Sequence, residues 1–176
     1  MDSVRKGYEE LGIDKYYERH NEDYENPHYE IIRQLLEEYL IYNDIGIDIL
    51  DLCCGSGEIT TILESCNKDY KITGIDPYTK AAYKKKTNKD CLSYTFKDIV
   101  QGKMLDKKYD TIICSCAMHL CEESMLDMLL YQLGQITNNL IILTPHKRPN
   151  INNWFILKDE YIKNKVRLRV YEKRRI

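Results

Sequence analysis

Ile47-Asp48-Ile49-Leu50-Asp51-Leu52-Cys53-Cys54-Gly55-Ser56-Gly57-Glu58 is the stretch on which the fold turns. Six residues of buried-strand character, Ile47–Leu52, run into a turn with glycine at 55 and 57, and a helical pattern follows over Glu58–Cys66 with Ile59, Ile62 and Leu63 inward. Glycine lets the chain turn sharply there and lets a ligand approach main-chain atoms with no Cβ in the way. The first amides of the helix then face the anionic end of that ligand.

The alternation continues outward. Strands are expected at Lys71–Ile75, Leu92–Phe96, Tyr109–Ser115 and Asn139–Leu143, with helices at Tyr78–Thr87 and from about Glu122 to Leu133. Such alternation argues for a mainly parallel sheet covered on both faces. Trp154–Ile162 and Val166–Tyr171 are joined only by the short Asn164-Lys165 turn, so they must run antiparallel. On the N-terminal side, a tyrosine-rich helix reaches about Arg19. A second helix is expected to start with Asn26 as cap and Pro27 in its first turn, and to bury Ile31, Ile32, Leu35, Leu36, Tyr39 and Leu40. No Pro-, Gly- or Ser-rich linker interrupts the chain, so a single domain over 1–176 is expected. It comprises a helical cap (1–43), a core (44–145), and a loop with a terminal hairpin (146–176).

Three acids fall at expected strand ends. Asp51 precedes the glycine turn, Asp76 follows Gly57 by nineteen positions, and Asp98 closes the third strand. A carboxylate at 76 can accept both hydroxyls of a ribose, and one at 98 suits an adenine amino group. Thr60 stands where a dinucleotide fingerprint has its third glycine, and an acid before the turn suits a ligand with an ammonium group. A nicotinamide oxidoreductase is excluded on that ground.

The run Ile47–Gly57 resembles motif I of the class I S-adenosylmethionine-dependent methyltransferases. Gly74-Ile75-Asp76-Pro77 resembles motif II, and Phe96-Lys97-Asp98-Ile99 resembles the adenine-contacting segment. Tyr109-Asp110-Thr111-Ile112-Ile113-Cys114-Ser115-Cys116-Ala117-Met118-His119-Leu120 resembles motif IV with its following His-Leu pair. The resemblance covers roughly residues 45–145. It implies a Rossmann-like three-layer α/β/α sandwich whose seven-stranded sheet ends in an antiparallel hairpin. It also implies S-adenosylmethionine as cofactor, held by Asp51, Cys53, Gly55, Gly57, Asp76, Pro77, Asp98, Ile99 and Ser115. An N-terminal segment around Tyr16, Tyr24 and His28 would close over it. Cys53 replaces the family's first glycine, so a positive φ there would be strained. The helix usual after strand five is replaced by the loop His146–Asn153.

His119 is the candidate base, weighed against a packing role. Cys114, Cys116, His119 and Cys121 lack the separated pairs of a zinc site, so no metal is expected. No Asn/Asp-Pro-Pro-Tyr tetrapeptide follows strand four, which speaks against the usual exocyclic-amine nucleic-acid methyltransferases and leaves the acceptor open among small molecules, proteins and RNA. The alternative is a non-catalytic module of the same fold that binds protein or RNA.

At 176 residues and 20.9 kDa, with 43% hydrophobic and 31% charged residues, the chain fits an ordinary globular protein. Net charge is −2 overall but uneven: residues 1–44 carry five Lys/Arg against twelve acids, 78–108 nine against three, and 158–176 eight against three. The two basic stretches are the candidate RNA surface. No run approaches the ~20 apolar residues of a membrane span. The polar start and seven cysteines, an odd number without framework spacing, point to reduced thiols in the cytoplasm, or the nucleus, and not to secretion.

Overall fold

The computed structural model describes residues 25–175. The expected first helix, with Tyr8, Tyr16 and Tyr17, and Tyr24 of the expected closing segment lie outside them. Seven strands form one sheet: β1 (Asp48–Leu52), β2 (Lys71–Ile75), β3 (Cys91–Leu92), β4 (Thr111–Ser115), β5 (Asn139–Thr144), β6 (Phe155–Lys163) and β7 (Val166–Lys173). Their order is β3-β2-β1-β4-β5-β7-β6. The first five pair in parallel, whereas β7 is antiparallel to both β5 and β6. The chain thus reverses its direction of travel across the sheet between β1 and β4, and a crevice opens where the two halves diverge.

Parallel strands covered on both faces are buried at nearly every position, and β1, β4 and β5 are so, with largely apolar residues and Asp51 the buried charged one. Alternate side chains divide between two cores. On one face Ile49, Ile113, Ile141 and Leu168 pack against α1 (Tyr29–Tyr42) and α2 (Glu58–Ser65). On the other, Leu50, Leu52, Ile112 and Ile142 pack against α4 (Phe96–Val100) and α5 (Glu123–Ile136). Between β2 and β3 lies α3 (Lys80–Thr87), whose buried Tyr83 packs with Cys54 and Cys91.

Sequence expectations shift at several element ends: β4 starts at Thr111 and not at Tyr109, and α5 runs on to Ile136 past Leu133. Strand β3 stops at Leu92, because Thr95 and Asp98 form a reciprocal capping box that turns Phe96 into the first residue of a helix. Helix α1 starts at Tyr29, two residues late; Asn26 Oδ1 accepts the His28 amide in a turn ahead of the helix. Helix α3 starts at Lys80 and not at Tyr78. The β6–β7 turn is as expected, with Asn164 and Lys165 at φ 47° and 68°, the paired left-handed conformation that matches strand twist in a two-residue hairpin. No helix intervenes between β5 and β6.

Candidate active site at the carboxyl ends of the strands

The β1–α2 turn forms the floor of the crevice. Cys53 sits at φ 57° and Gly55 at φ 53°. For Cys53 the left-handed backbone carries a steric cost of about 1–2 kcal/mol, an outlier of the kind that collects at functional sites. The two glycines serve different ends. A Cβ on Gly55 would meet nothing within 4 Å, so this glycine faces open space. On Gly57, at φ 93°, it would lie 2.4 Å from Thr87 Cγ2 and 3.2 Å from the Tyr83 ring, so this glycine lets α2 pack on α3. Gly57 is accordingly absent from the cavity wall. Gly74 plays the same packing part beneath Tyr83.

Above the turn lies a cavity of about 500 Å³, in the size range of small-molecule sites. Asp51, Cys53, Gly55, Asp76, Pro77, Ile99 and Ser115 line it, as expected from sequence. Asp76 ties the floor together: Oδ2 accepts the Gly55 amide at 3.2 Å and Oδ1 the Tyr78 amide at 2.9 Å, leaving lone pairs on both oxygens for a ligand. Asp51 is buried, and Oδ2 accepts from both the hydroxyl (2.8 Å) and the amide (3.2 Å) of Thr60, whose hydroxyl bonds Tyr83 Oη at 2.9 Å. Burial outweighs these bonds and pushes the Asp51 carboxyl up to about 7. Tyr94, Phe96, Ile99, Leu120 and Met125 make one wall apolar. Thr79 Oγ1 and Ser115 Oγ, both on residues of the wall, are buried without a hydrogen-bond partner.

Asp98 does not line the cavity. Its Oδ2 accepts the amide and hydroxyl of Thr95, and its Oδ1 pairs with Lys103 Nζ at 2.5 Å. The Lys103 ammonium, first, and the Thr95 bonds hold its carboxyl down at about 2. The expected adenine acid is therefore a helix cap, and its position in α4 replaces the expected strand tip. His119 is also absent from the wall; its ring stacks on His146, and burial, then His146, pulls it down to about 4.

Sequence reasoning missed Asn26 and Glu58. Asn26, 9% exposed, lines the cavity and donates through Nδ2 to Glu58 Oε2 (3.2 Å) and Cys116 Sγ (3.7 Å), joining the chain ahead of α1 to the first turn of α2 and the end of β4. Burial raises the Glu58 carboxyl. These contacts span 32 and 90 residues, and no local pattern encodes them. Part of the basic stretches is engaged within the fold: Lys84, Lys89, Lys103 and Lys107 form ion pairs, as do Lys158, Lys163 and Arg169. Among the described residues no His, Cys, Asp and Glu group could hold a metal ion, and no helix is long and apolar enough to cross a membrane.

A strand order of 3-2-1-4-5-7-6 with an antiparallel end, and a glycine turn facing a carboxylate at the next strand tip, define the class I methyltransferase fold. Residues 49–139 match the family model described as a methyltransferase domain, and the chain belongs to that family. An uncharacterized protein of Schizosaccharomyces pombe is 29% identical, over 99% of this chain and 93% of its own length. Among solved structures, the PH0226 protein of Pyrococcus horikoshii OT3 superposes with a TM-score of 0.67 at 15% identity, covering 85% of this chain and 93% of its own. The N-methyltransferase NodS of Bradyrhizobium japonicum WM9, in complex with S-adenosyl-L-homocysteine, gives 0.63 at 15% identity, covering 96% and 97%.

Proposed function

We propose that the chain is an S-adenosylmethionine-dependent methyltransferase. The carrying observation is Asp76, fixed at the tip of β2 by two main-chain amides and opening onto a cavity whose floor is the Gly55 turn. Open space over Gly55 and the unpartnered hydroxyls of Thr79 and Ser115 fit a polar nucleoside ligand. When bound, the cofactor supplies a sulfonium-activated methyl group, and displacement at that carbon depends mainly on alignment with the acceptor.

The residues divide the work by chemistry. Asp76 accepts the ribose hydroxyls through its remaining lone pairs. Pro77, Ile99, Tyr94 and Phe96 enclose the base, with Asp98 holding α4 in place from behind. Asp51 and Cys53 shape the turn; an ammonium group nearby would draw the Asp51 proton off, because its carboxyl sits near neutrality. His119 is uncharged at neutral pH, but with its basicity pulled down to about 4 it is a poor proton sink. We therefore assign it to holding the acceptor and not to general-base catalysis. All seven cysteines are free thiols, which suits the cytoplasm.

The test is a melting experiment with S-adenosylhomocysteine. At one hundred times its dissociation constant the ligand adds about 2.7 kcal/mol, a rise of roughly 5–10 °C for a chain of this size. No shift at saturating ligand would remove the proposal. With binding established, a labelled-methyl screen over metabolites, proteins and RNA identifies the acceptor.

A further inference from the structure

Three histidines distant in sequence meet beside the cavity. His119, in the turn after β4, stacks on His146, in the loop after β5, with ring centroids 4.0 Å apart and planes tilted by 34°. His28, just ahead of α1, adds to burial in disfavouring the charged form of His146. None of the three rings lines the cavity, but their chain neighbours Asn26, Ala117 and Leu120 do. His119 Nδ1 is buried and has no hydrogen-bond partner.

Among the described residues no carboxylate forms an ion pair with these rings. Lys147 and Arg148 follow His146 directly, both exposed, and neither joins an ion pair among the described residues. Two carboxylates on neighbouring elements are engaged, Glu58 of α2 accepting from Asn26 and Glu160 of β6 held by Arg169 at 2.6 Å, whereas Glu122, ahead of α5, lines the cavity with no ion pair among the described residues. From β7, Arg169 Nη1 reaches the carbonyls of His146 (3.5 Å) and Lys147 (3.2 Å), and Arg167 Nη1 reaches that of Pro145 (3.3 Å), so the loop is fixed from below by further cations. Burial suppresses proton binding at both stacked rings, helped at His119 by His146 and at His146 by His28. An anion seated there would relieve the repulsion and gain charge-assisted hydrogen bonds.

We propose that the His119–His146 pair, with His28 and the Lys147–Arg148 loop, is an oxyanion subsite that holds a carboxylate or phosphate group of the methyl acceptor. Naming the anion's owner as the acceptor rests on the methyltransferase reading; the subsite itself does not. Because the anion restores proton binding, its capture takes up a proton. The affinity then falls as pH rises, approaching tenfold per unit for one linked proton.

The experiment follows the histidine ring signals by NMR in the full chain, with and without S-adenosylhomocysteine, titrated separately with acetate and inorganic phosphate at pH 6 and pH 8. Saturable movement of the His119 and His146 signals is expected, at least tenfold tighter at pH 6. The better-bound anion distinguishes carboxylate from phosphate. H146Q, which keeps the size of the side chain and cannot take the charge, should lose the pH dependence and weaken the anion at least fivefold, with S-adenosylhomocysteine affinity within twofold of wild type. H119Q should weaken the anion likewise. Absence of saturable movement for both anions, equal affinity at the two pH values, or an unchanged response in H146Q overturns the subsite. Failure of S-adenosylhomocysteine to bind would instead overturn the methyltransferase reading, and the anion titration without it still decides this one.

Discussion

Asp76→Ala removes the one carboxylate among the described residues whose two oxygens both accept amides of the cavity floor, from Gly55 at 3.2 Å and from Tyr78 at 2.9 Å. On the proposed reading the same oxygens accept two ribose hydroxyls in the bound state. Hydrogen bonds to a charged acceptor contribute about 1.5–3 kcal/mol each, so losing two weakens S-adenosylhomocysteine by about 3–6 kcal/mol, or roughly 10²–10⁴-fold. Asp76→Asn is no rescue, because its amide nitrogen would face one of the two main-chain N–H donors. Asp76, 9% exposed, lines the cavity and belongs to neither hydrophobic core, so both variants should stay folded. Isothermal titration of wild type and both variants, with circular dichroism and a melting curve as folding controls, reads the effect. A folded Asp76→Ala protein that binds within threefold of wild type would refute the reasoning.

Further outcomes are expected of the same structure. Gly55→Ala places a methyl group in open space at φ 53°, so it should lower S-adenosylhomocysteine affinity at least tenfold with a stability cost of only about 1–2 kcal/mol. Gly57→Ala drives a Cβ to 2.4 Å from Thr87 Cγ2 at φ 93°, so its larger defect should appear in denaturant unfolding, at about 2–4 kcal/mol. If the two variants behaved alike, the division of labour between the glycines would be wrong. Burial raises the Asp51 carboxyl from 3.8 to about 7, so the folded state holds this proton where the unfolded chain has lost it. The contribution of Asp51 to stability is therefore most favourable below about pH 4 and declines as pH rises toward 7, by at most about 4 kcal/mol. Urea unfolding of wild type and Asp51→Asn from pH 5 to pH 8 should show the wild type losing the more stability across that range; parallel curves would contradict it. Lys165→Gly, at φ 68° in the hairpin turn, should raise stability by about 1 kcal/mol, read as an increase of roughly 2–4 °C in Tm.

How much of this was legible in the chain depends on how locally each feature is encoded. Strand β2 was readable to the residue because Asp76-Pro77 punctuates its end, and the antiparallel hairpin because two residues at 164–165 leave no room for a crossover. Strand β3 was overextended: Leu92-Ser93-Tyr94-Thr95-Phe96 has strand-like alternation, whereas Thr95 and Asp98 at cap spacing carry the competing helix signal. That signal was present and would have moved Asp98 off the strand tip. The different duties of Gly55 and Gly57 were not readable, because Thr87 and Tyr83, which set them apart, lie some thirty residues downstream. Asn26 read as a helix cap, since its Glu58 and Cys116 partners come together only when α1, α2 and β4 are packed. The pairing of His119 with His146 is hidden for the same reason.

The donor cavity itself is tested most directly by a crystal structure of the chain grown with S-adenosylhomocysteine. The account predicts the ribose hydroxyls on the two oxygens of Asp76, the sulfur end over Gly55, and the adenine between Pro77 and Ile99 beside Phe96. Density for the ligand anywhere else, or clear density for a cavity closed over Gly55 at saturating ligand, would contradict it.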